Sequence, residues 1–252
     1  MIPKIIHYCW FGGAPLPPLA QKCISSWKKH CPDYKIVEWN ERNYPLTLAP
    51  DYVKEAIAAK RWAFATDVIR LDVVYQHGGI YLDTDVELLR NLDDLLCHHA
   101  FFGRDRGGMI STGLGFGAEP QCRVVRKLLE DYATAHFQTG NLRYDLQPCP
   151  QRNKKVFDSY GFSDATEEIE ERKAVTVYPW EYFSPMSEKT MEVRLTTHTY
   201  SIHHFVASWK TPRERRSHER RLALERWFGE TWGNRFADIL NGLIRKMYKI
   251  WD

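Results

Sequence analysis

Asp83 and Asp85 stand one residue apart at the end of the apolar run Gly78-Gly79-Ile80-Tyr81-Leu82. In an extended chain, residues i and i+2 face the same side, so a strand that ends here brings both acids to one point. Two carboxylates held together repel and lose hydration, which is unfavourable unless a cation or a shared proton offsets it. Magnesium or manganese suits such a site, because a hard cation takes oxygen ligands and keeps positions open for substrate phosphates. A lone Asp-x-Asp is common and reads equally well as a solvated turn, so the weight comes from its company. His203 and His204 end a strand-like run and can add an imidazole nitrogen to the two carboxylates. Asp67 and Arg70 lie three apart on a helical stretch, spaced for a plain surface ion pair or for two groups turned toward one ligand. Gly113, Gly115 and Gly117 alternate within an apolar run. Nucleotide-binding glycines open a helix after a strand, so here the series predicts close approach of the backbone to a bound sugar.

The elements that must position these groups follow from periodicity. Ile2–Trp10 reads as a buried strand closed by Gly12-Gly13 and a proline cluster, and a helix runs between Pro18 and Pro32 with Leu19, Cys23, Ile24 and Trp27 on one face. Tyr34–Trp39 is a second strand. A strand, helix and strand in this order open an α/β nucleotide-binding layer, and ligands of such sheets sit beyond the carboxyl ends of the strands, which places Trp10 to meet one. Asp51–Gln76 is predicted as one helix stopped by Gly78-Gly79 and running straight into the Asp83/Asp85 strand. Ala100–Gly103 and Met109–Gly117 are strands, Gln121–Phe137 a helix, 140–173 loop and short helices covering the site, and Val175–Trp180 and Ser201–Val206 the last strands. From Lys210 onward a cluster of arginines precedes Trp227, Trp232, Phe236, Ile239, Leu240, Leu243, Ile244, Met247 and Trp251 at helical spacing. This basic amphipathic tail suits an anionic membrane surface, or a helix packed on its own domain.

With 252 residues, 44% of them hydrophobic, the chain can bury one large core, and the expected division is a domain over 1–209 with a tail over 210–252. A net charge of +3 from 35 basic and 32 acidic residues argues against nucleic acid as partner. The six cysteines form no zinc pattern, which suggests a reducing compartment. No run is apolar enough for a membrane span and no leader precedes the first strand, so the expected location is cytoplasmic, peripheral at the inner membrane face if the tail binds there.

Ile5-Ile6-His7-Tyr8-Cys9-Trp10-Phe11-Gly12-Gly13, Ala65-Thr66-Asp67-Val68-Ile69-Arg70, Gly78-Gly79-Ile80-Tyr81-Leu82-Asp83-Thr84-Asp85 and the closing Ser208-Trp209 occur in the order found in glycosyltransferase family 32, which the chain resembles over roughly its first 120 residues and again from about residue 204. That family includes capsular-polysaccharide and mannosyl transferases and is similar at its core to the clostridial glucosylating toxins. The resemblance implies a GT-A fold, a Rossmann-like mixed sheet that binds a nucleotide-sugar donor and a divalent metal, here followed by a C-terminal helical extension. It implies a retaining hexosyltransferase that moves a sugar from a UDP-sugar to a glycan or lipid-linked acceptor in surface polysaccharide synthesis. Trp10 would stack on the base, Asp67 and Arg70 hold ribose, sugar or phosphates, and Tyr81 touch the diphosphate or sugar. Asp83 would meet ribose and metal, and Asp85 the metal. His204 is the favoured histidine ligand of manganese or magnesium, with His203 the alternative, and Ser208 and Trp209 would close over the diphosphate. Asp83, Asp85 and Arg70 form the catalytic set, with the cation and Arg70 neutralising the leaving diphosphate. A metal-dependent phosphohydrolase and a non-enzymatic peripheral membrane adaptor are the competing readings.

Overall fold

The computed structural model describes residues 1–140, 143–162, 166–188 and 190–206, together with residues 216, 217, 219–225, 227–229, 232, 235–237, 239 and 240. Two compact units divide the chain: Met1–Met186 with Val193–Phe205, and Ser187–Glu192 with Val206–Asp252. The first contains, in chain order, β1 (Ile5–Cys9), α1 (Pro18–His30), β2 (Lys35–Trp39), α2 (Asp51–Ala58), α3 (Trp62–His77), β3 (Gly79–Tyr81), β4 (Val86–Leu88), β5 (Ala100–Arg104), β6 (Ile110–Ala118), α4 (Arg123–Glu130), β7 (Gln138–Gly140), β8 (Arg143–Tyr144), α5 (Cys149–Tyr160), β9 (Glu170–Arg172), β10 (Val175–Tyr178), α6 (Trp180–Phe183) and β11 (Ser201–His203).

Seven strands form a mixed sheet in the order β2-β1-β3-β6-β5-β10-β9. β1 pairs in parallel with both β2 and β3, and β10 in parallel with β5. β6 runs antiparallel between β3 and β5, and β9 closes the far edge antiparallel to β10. Strands β1, β2, β3, β5 and β10 therefore end on one edge of the sheet, the edge where β6 begins. Helices cover both faces, and alternation along the strands feeds both cores. Phe102, Phe116 and Val177 pack with Val68, Val125 and Phe157 from α3, α4 and α5. Ile6, Tyr8, Ile80 and Phe101 turn to the other face, against Cys23, Ile24 and Trp27 of α1 and Phe183 of α6.

Three boundaries differ from the periodicity, each for a physical reason. The helix expected over Asp51–Gln76 is two helices: α2 ends in a turn with Lys60 at φ 55° and the Arg61 N–H returning to the Ala56 carbonyl at 2.8 Å. This is the hydrogen-bonding pattern of a helix stop that glycine usually provides, and the sequence has no glycine there. The strand after Gly78-Gly79 lasts only to Tyr81: Leu82 N–H makes one last bond to the His7 carbonyl at 3.0 Å, and the turn closed by Val86 N–H on the Asp83 carbonyl then takes the chain out of the sheet. Gly79 sits at φ 103°, where a β-carbon would lie 2.7 Å from the Ile5 carbonyl, so the tight exit from α3 into β3 requires glycine. The stretch 140–173, expected as loop and short helices, contains one helix of twelve residues, α5.

Candidate active site

The two aspartates converge through a turn. Val86 N–H donates to the Asp83 carbonyl at 2.9 Å, which closes Asp83-Thr84-Asp85-Val86 into a tight loop between β3 and β4 at the carboxyl edge of the sheet. β4 leaves the main sheet and pairs antiparallel with β11, in a register that sets His203 opposite Val86. Trp27 of α1 anchors this small sheet, its Nε1–H donating to the Val86 carbonyl at 2.7 Å. The register brings His203 to the acidic loop, with Nε2 3.3 Å from Asp85 Oδ1, while the next backbone N–H, that of His204, donates to the Asp85 carbonyl at 3.0 Å. Phe205 packs edge-on against the His203 ring at 4.2 Å.

Behind the loop, α3 presents Arg70, whose side chain is 5% exposed. Its guanidinium lies 3.1 Å from Asp67 Oδ1 and 3.2 Å from Asp83 Oδ1, its Nε–H donates to the Thr66 carbonyl at 3.2 Å, and it rests over the Tyr81 ring at 5.1 Å. Tyr81 donates its hydroxyl to Asp83 Oδ1 at 2.9 Å. The Asp67/Arg70 pair is therefore buried, and a surface ion pair is excluded as its explanation. Gly113 in β6 completes the wall: a β-carbon there would stand 2.9 Å from Asp83 Oδ2 and 3.2 Å from Arg70 Nη1. The alternating glycines lie in a strand as expected, but what approaches them is the protein's own side chains, Asp83 and Arg70 at Gly113 and the Phe101 ring at Gly117.

Burial and charge pull against each other here. Burial raises Asp67 from 3.8 to about 6 in spite of Arg70, and raises Asp83 above the ordinary carboxylate value against the same guanidinium. Burial disfavours the charged form of His203, yet Asp85 and then Asp83 outweigh it and raise its pKa. Burial disfavours the charged form of Arg70 too, but Asp83 and Asp67 hold it firmly protonated. Asp83, Asp85 and His203 can each offer one ligand atom, and these atoms all lie within 4.8 Å of one another. The Arg70 guanidinium thus lies between Asp67 and Asp83, and the His203 imidazole beside Asp85. His203 Nδ1 is buried with no hydrogen-bond partner among the described residues. Two carboxylate oxygens and an imidazole nitrogen form a donor set that fits manganese, and also magnesium with added water.

The other expected site residues divide clearly. Trp10 follows β1 at the same edge, its indole N–H donating to the Ala14 carbonyl at 2.6 Å. His204, favoured from the motif order, turns instead to Glu87, with Nε2 2.9 Å from Oε2; on alternating sides of a strand end, only one of two adjacent histidines can face the aspartates. Ser208 and Trp209 lie outside the described residues. Cys149, at the start of α5, carries no motif; its thiol accepts from Thr112 Oγ1 at 3.6 Å, and burial, with the Asp67 carboxylate nearby, pushes its pKa up to about 12. A scattered cysteine gives no sequence signal for such a contact.

Residues 17–102 match the family described as a glycosyltransferase sugar-binding region containing a DXD motif, and they include Asp83 and Asp85. Over these residues the chain is similar to that glycosyltransferase region. Inositol phosphoceramide mannosyltransferase 3 of Schizosaccharomyces pombe is 32% identical over 157 residues, 58% of this chain and 43% of that protein. An uncharacterized glycosyltransferase of Acanthamoeba polyphaga mimivirus is 33% identical over 107 residues, 40% of this chain and 43% of that protein. The chain thus spans less than half the length of these curated relatives. The solved structure of the PaToxG glycosyltransferase superposes with a TM-score of 0.50 at 18% identity, over 63% of this chain and 68% of that one. The mixed sheet with its acidic loop is accordingly a GT-A fold.

Proposed function

We propose that the DXD-motif glycosyltransferase region of this chain transfers a sugar, with retention, from a nucleotide-sugar donor to a glycan or lipid-linked acceptor, and that it requires a divalent metal. The observation that carries this reading is the convergence of Asp83, Asp85 and His203 at the carboxyl edge, backed by the buried Arg70. Asp83, Asp85 and His203 would hold manganese, or magnesium, and the ion would supply positive charge to the leaving diphosphate. Arg70, braced by Asp67 and the Thr66 carbonyl, keeps Asp83 aimed and contributes a permanent positive charge close to the reacting phosphates. Tyr81 fixes the second lone-pair direction of the same carboxylate oxygen. Trp10, half-buried beyond β1, offers an aromatic face for the nucleobase. A UDP-sugar is the donor expected from the motifs; similarity to an inositol phosphoceramide mannosyltransferase supports a mannosyl donor as the alternative and an acceptor with a phosphorylated lipid headgroup.

The test is a thermal-shift and hydrolysis screen of UDP- and GDP-sugars with manganese on the wild type and Asp85→Asn, followed by assignment of the product anomer. One donor should raise the melting temperature and be slowly cleaved, with both effects lost in Asp85→Asn; saturating ligand contributes a few kcal/mol by linkage. Failure of every nucleotide sugar to bind sinks the reading. Hydrolysis that no acceptor accelerates points to a phosphohydrolase.

A further inference from the structure

The chain's positive charge is concentrated at one end. Residues 206–252 contain eleven Lys or Arg against six Asp or Glu, an excess of five, although the whole chain is only at +3. The rest is therefore slightly acidic in net charge, so the positive end of the molecule is this stretch. Within this stretch every described residue from 216 to 240 is helical. Phe228 and Phe236 lie with ring centroids 5.1 Å apart, and Trp232 and Phe236 6.2 Å apart. Eight residues along a straight helix span about 12 Å, so Phe228 and Phe236 do not sit on one straight helix. Gly229, at φ 75°, is a left-handed residue between them.

The segment gathers large apolar rings that remain in water. Trp227 is 84% exposed and Trp232 55%, and Phe228, Phe236, Ile239 and Leu240 are exposed beside them. Arg235 lies over the Trp232 ring at 5.5 Å. Exposed tryptophan and phenylalanine next to arginines match the interfacial layer of a bilayer, where the rings enter the headgroup region and the guanidiniums meet lipid phosphates. We propose that the helical segment around Trp227–Leu240 is a peripheral anchor that docks this protein on an anionic lipid surface. An acceptor held in a membrane would then be met in two dimensions. The anchor's own chemistry does not depend on the identity of the donor.

The experiment is flotation of the full chain with vesicles of phosphatidylcholine alone and with about a third phosphatidylserine, the latter lipid supplying the negative surface potential. The expected result is binding to the anionic vesicles that weakens as salt rises, with Trp fluorescence quenched by headgroup-proximal nitroxide lipids. Trp227→Ala with Trp232→Ala should weaken it at least about tenfold, and Arg221→Gln with Arg235→Gln about fivefold per residue. Both variants should keep the wild-type melting temperature and metal-dependent thermal shift. Absence of binding to anionic vesicles overturns the proposal, as does flotation unchanged in both variants. A wild-type dimer that the tryptophan variant dissociates, with no flotation, assigns the surface to a second copy of the chain and equally overturns it.

Discussion

Asp67→Asn should make the metal-free protein more stable at neutral pH while disabling it. Asp67 is buried, and although Arg70 lies 3.1 Å away, burial wins and raises its pKa from 3.8 to about 6. That rise corresponds to ~3 kcal/mol unfavourable to the ionised carboxylate. The sign follows from proton linkage. A carboxyl whose folded pKa exceeds its unfolded value binds more protons in the native state between the two values. Its contribution to stability is complete below about pH 4 and lost as pH rises through about 6. Asparagine has nearly the same shape and no charge to desolvate, so the gain at neutral pH should be about 1–2 kcal/mol after allowance for an imperfect amide contact with Arg70. For a chain of this size that is roughly 3–6 °C in melting temperature. Urea or thermal melts in chelator near pH 7.5 and near pH 4 provide the assay; the difference between variant and wild type should be large at the higher pH and close to zero at the lower. Donor binding, followed by the manganese-dependent thermal shift with nucleoside diphosphate, should be lost at both. A variant less stable than wild type by the same margin at both pH values would refute the reasoning, because Asp67 would then be held by its neighbours more than it is penalised by burial.

Gly113→Ala would place a β-carbon 2.9 Å from Asp83 Oδ2 and force that carboxylate to move, so manganese affinity measured by electron paramagnetic resonance should fall at least about tenfold while the melting temperature changes little. His203→Ala should abolish the manganese-dependent thermal shift, whereas His204→Ala, which removes only the contact to Glu87, should retain it; the reverse result would overturn the register argument. His7 is held neutral by accepting from the Trp39 indole at 3.0 Å and facing the Gly78 carbonyl at 2.8 Å, and burial lowers its pKa from 6.5 to about 4. Its contribution is present above about pH 6.5 and lost as pH falls through about 4, up to ~3 kcal/mol, so His7→Gln should flatten the acid limb of the stability profile. Phe183→Ala would interrupt a column of near-parallel rings that runs from buried Phe101 through Phe183 to Tyr200, with Tyr182 and His198 stacked outward of it. Its expected cost is about 3–5 kcal/mol in chemical denaturation.

What the sequence disclosed depends on how local each determinant is. The strand of β1, the helix between two prolines and the alternating-glycine strand are written in contiguous residues, and they form where periodicity and breakers put them. The split between α2 and α3 was not legible, because Lys60 adopts a left-handed conformation without the glycine that normally announces it. The acidic motif named two residues that the structure does bring together with His203, though not by the strand alternation expected of them. They meet in a turn that leaves the sheet, and no pattern of alternation distinguishes a strand that ends at residue 81 from one that ends at 86. Which of two adjacent histidines faces that turn is decided by pairing between β4 and β11, more than a hundred residues apart, where a shift of one residue exchanges the two rings. That same pairing depends on Tyr200, whose carbonyl accepts from Leu89 N–H at 2.8 Å and whose ring is clamped between Phe183 and Tyr182. Which histidine meets the aspartates is thus fixed by packing on the opposite face of the sheet from α3. Tyr200→Phe should preserve it, and Tyr200→Ala should lower manganese affinity even though the residue touches none of the three ligands.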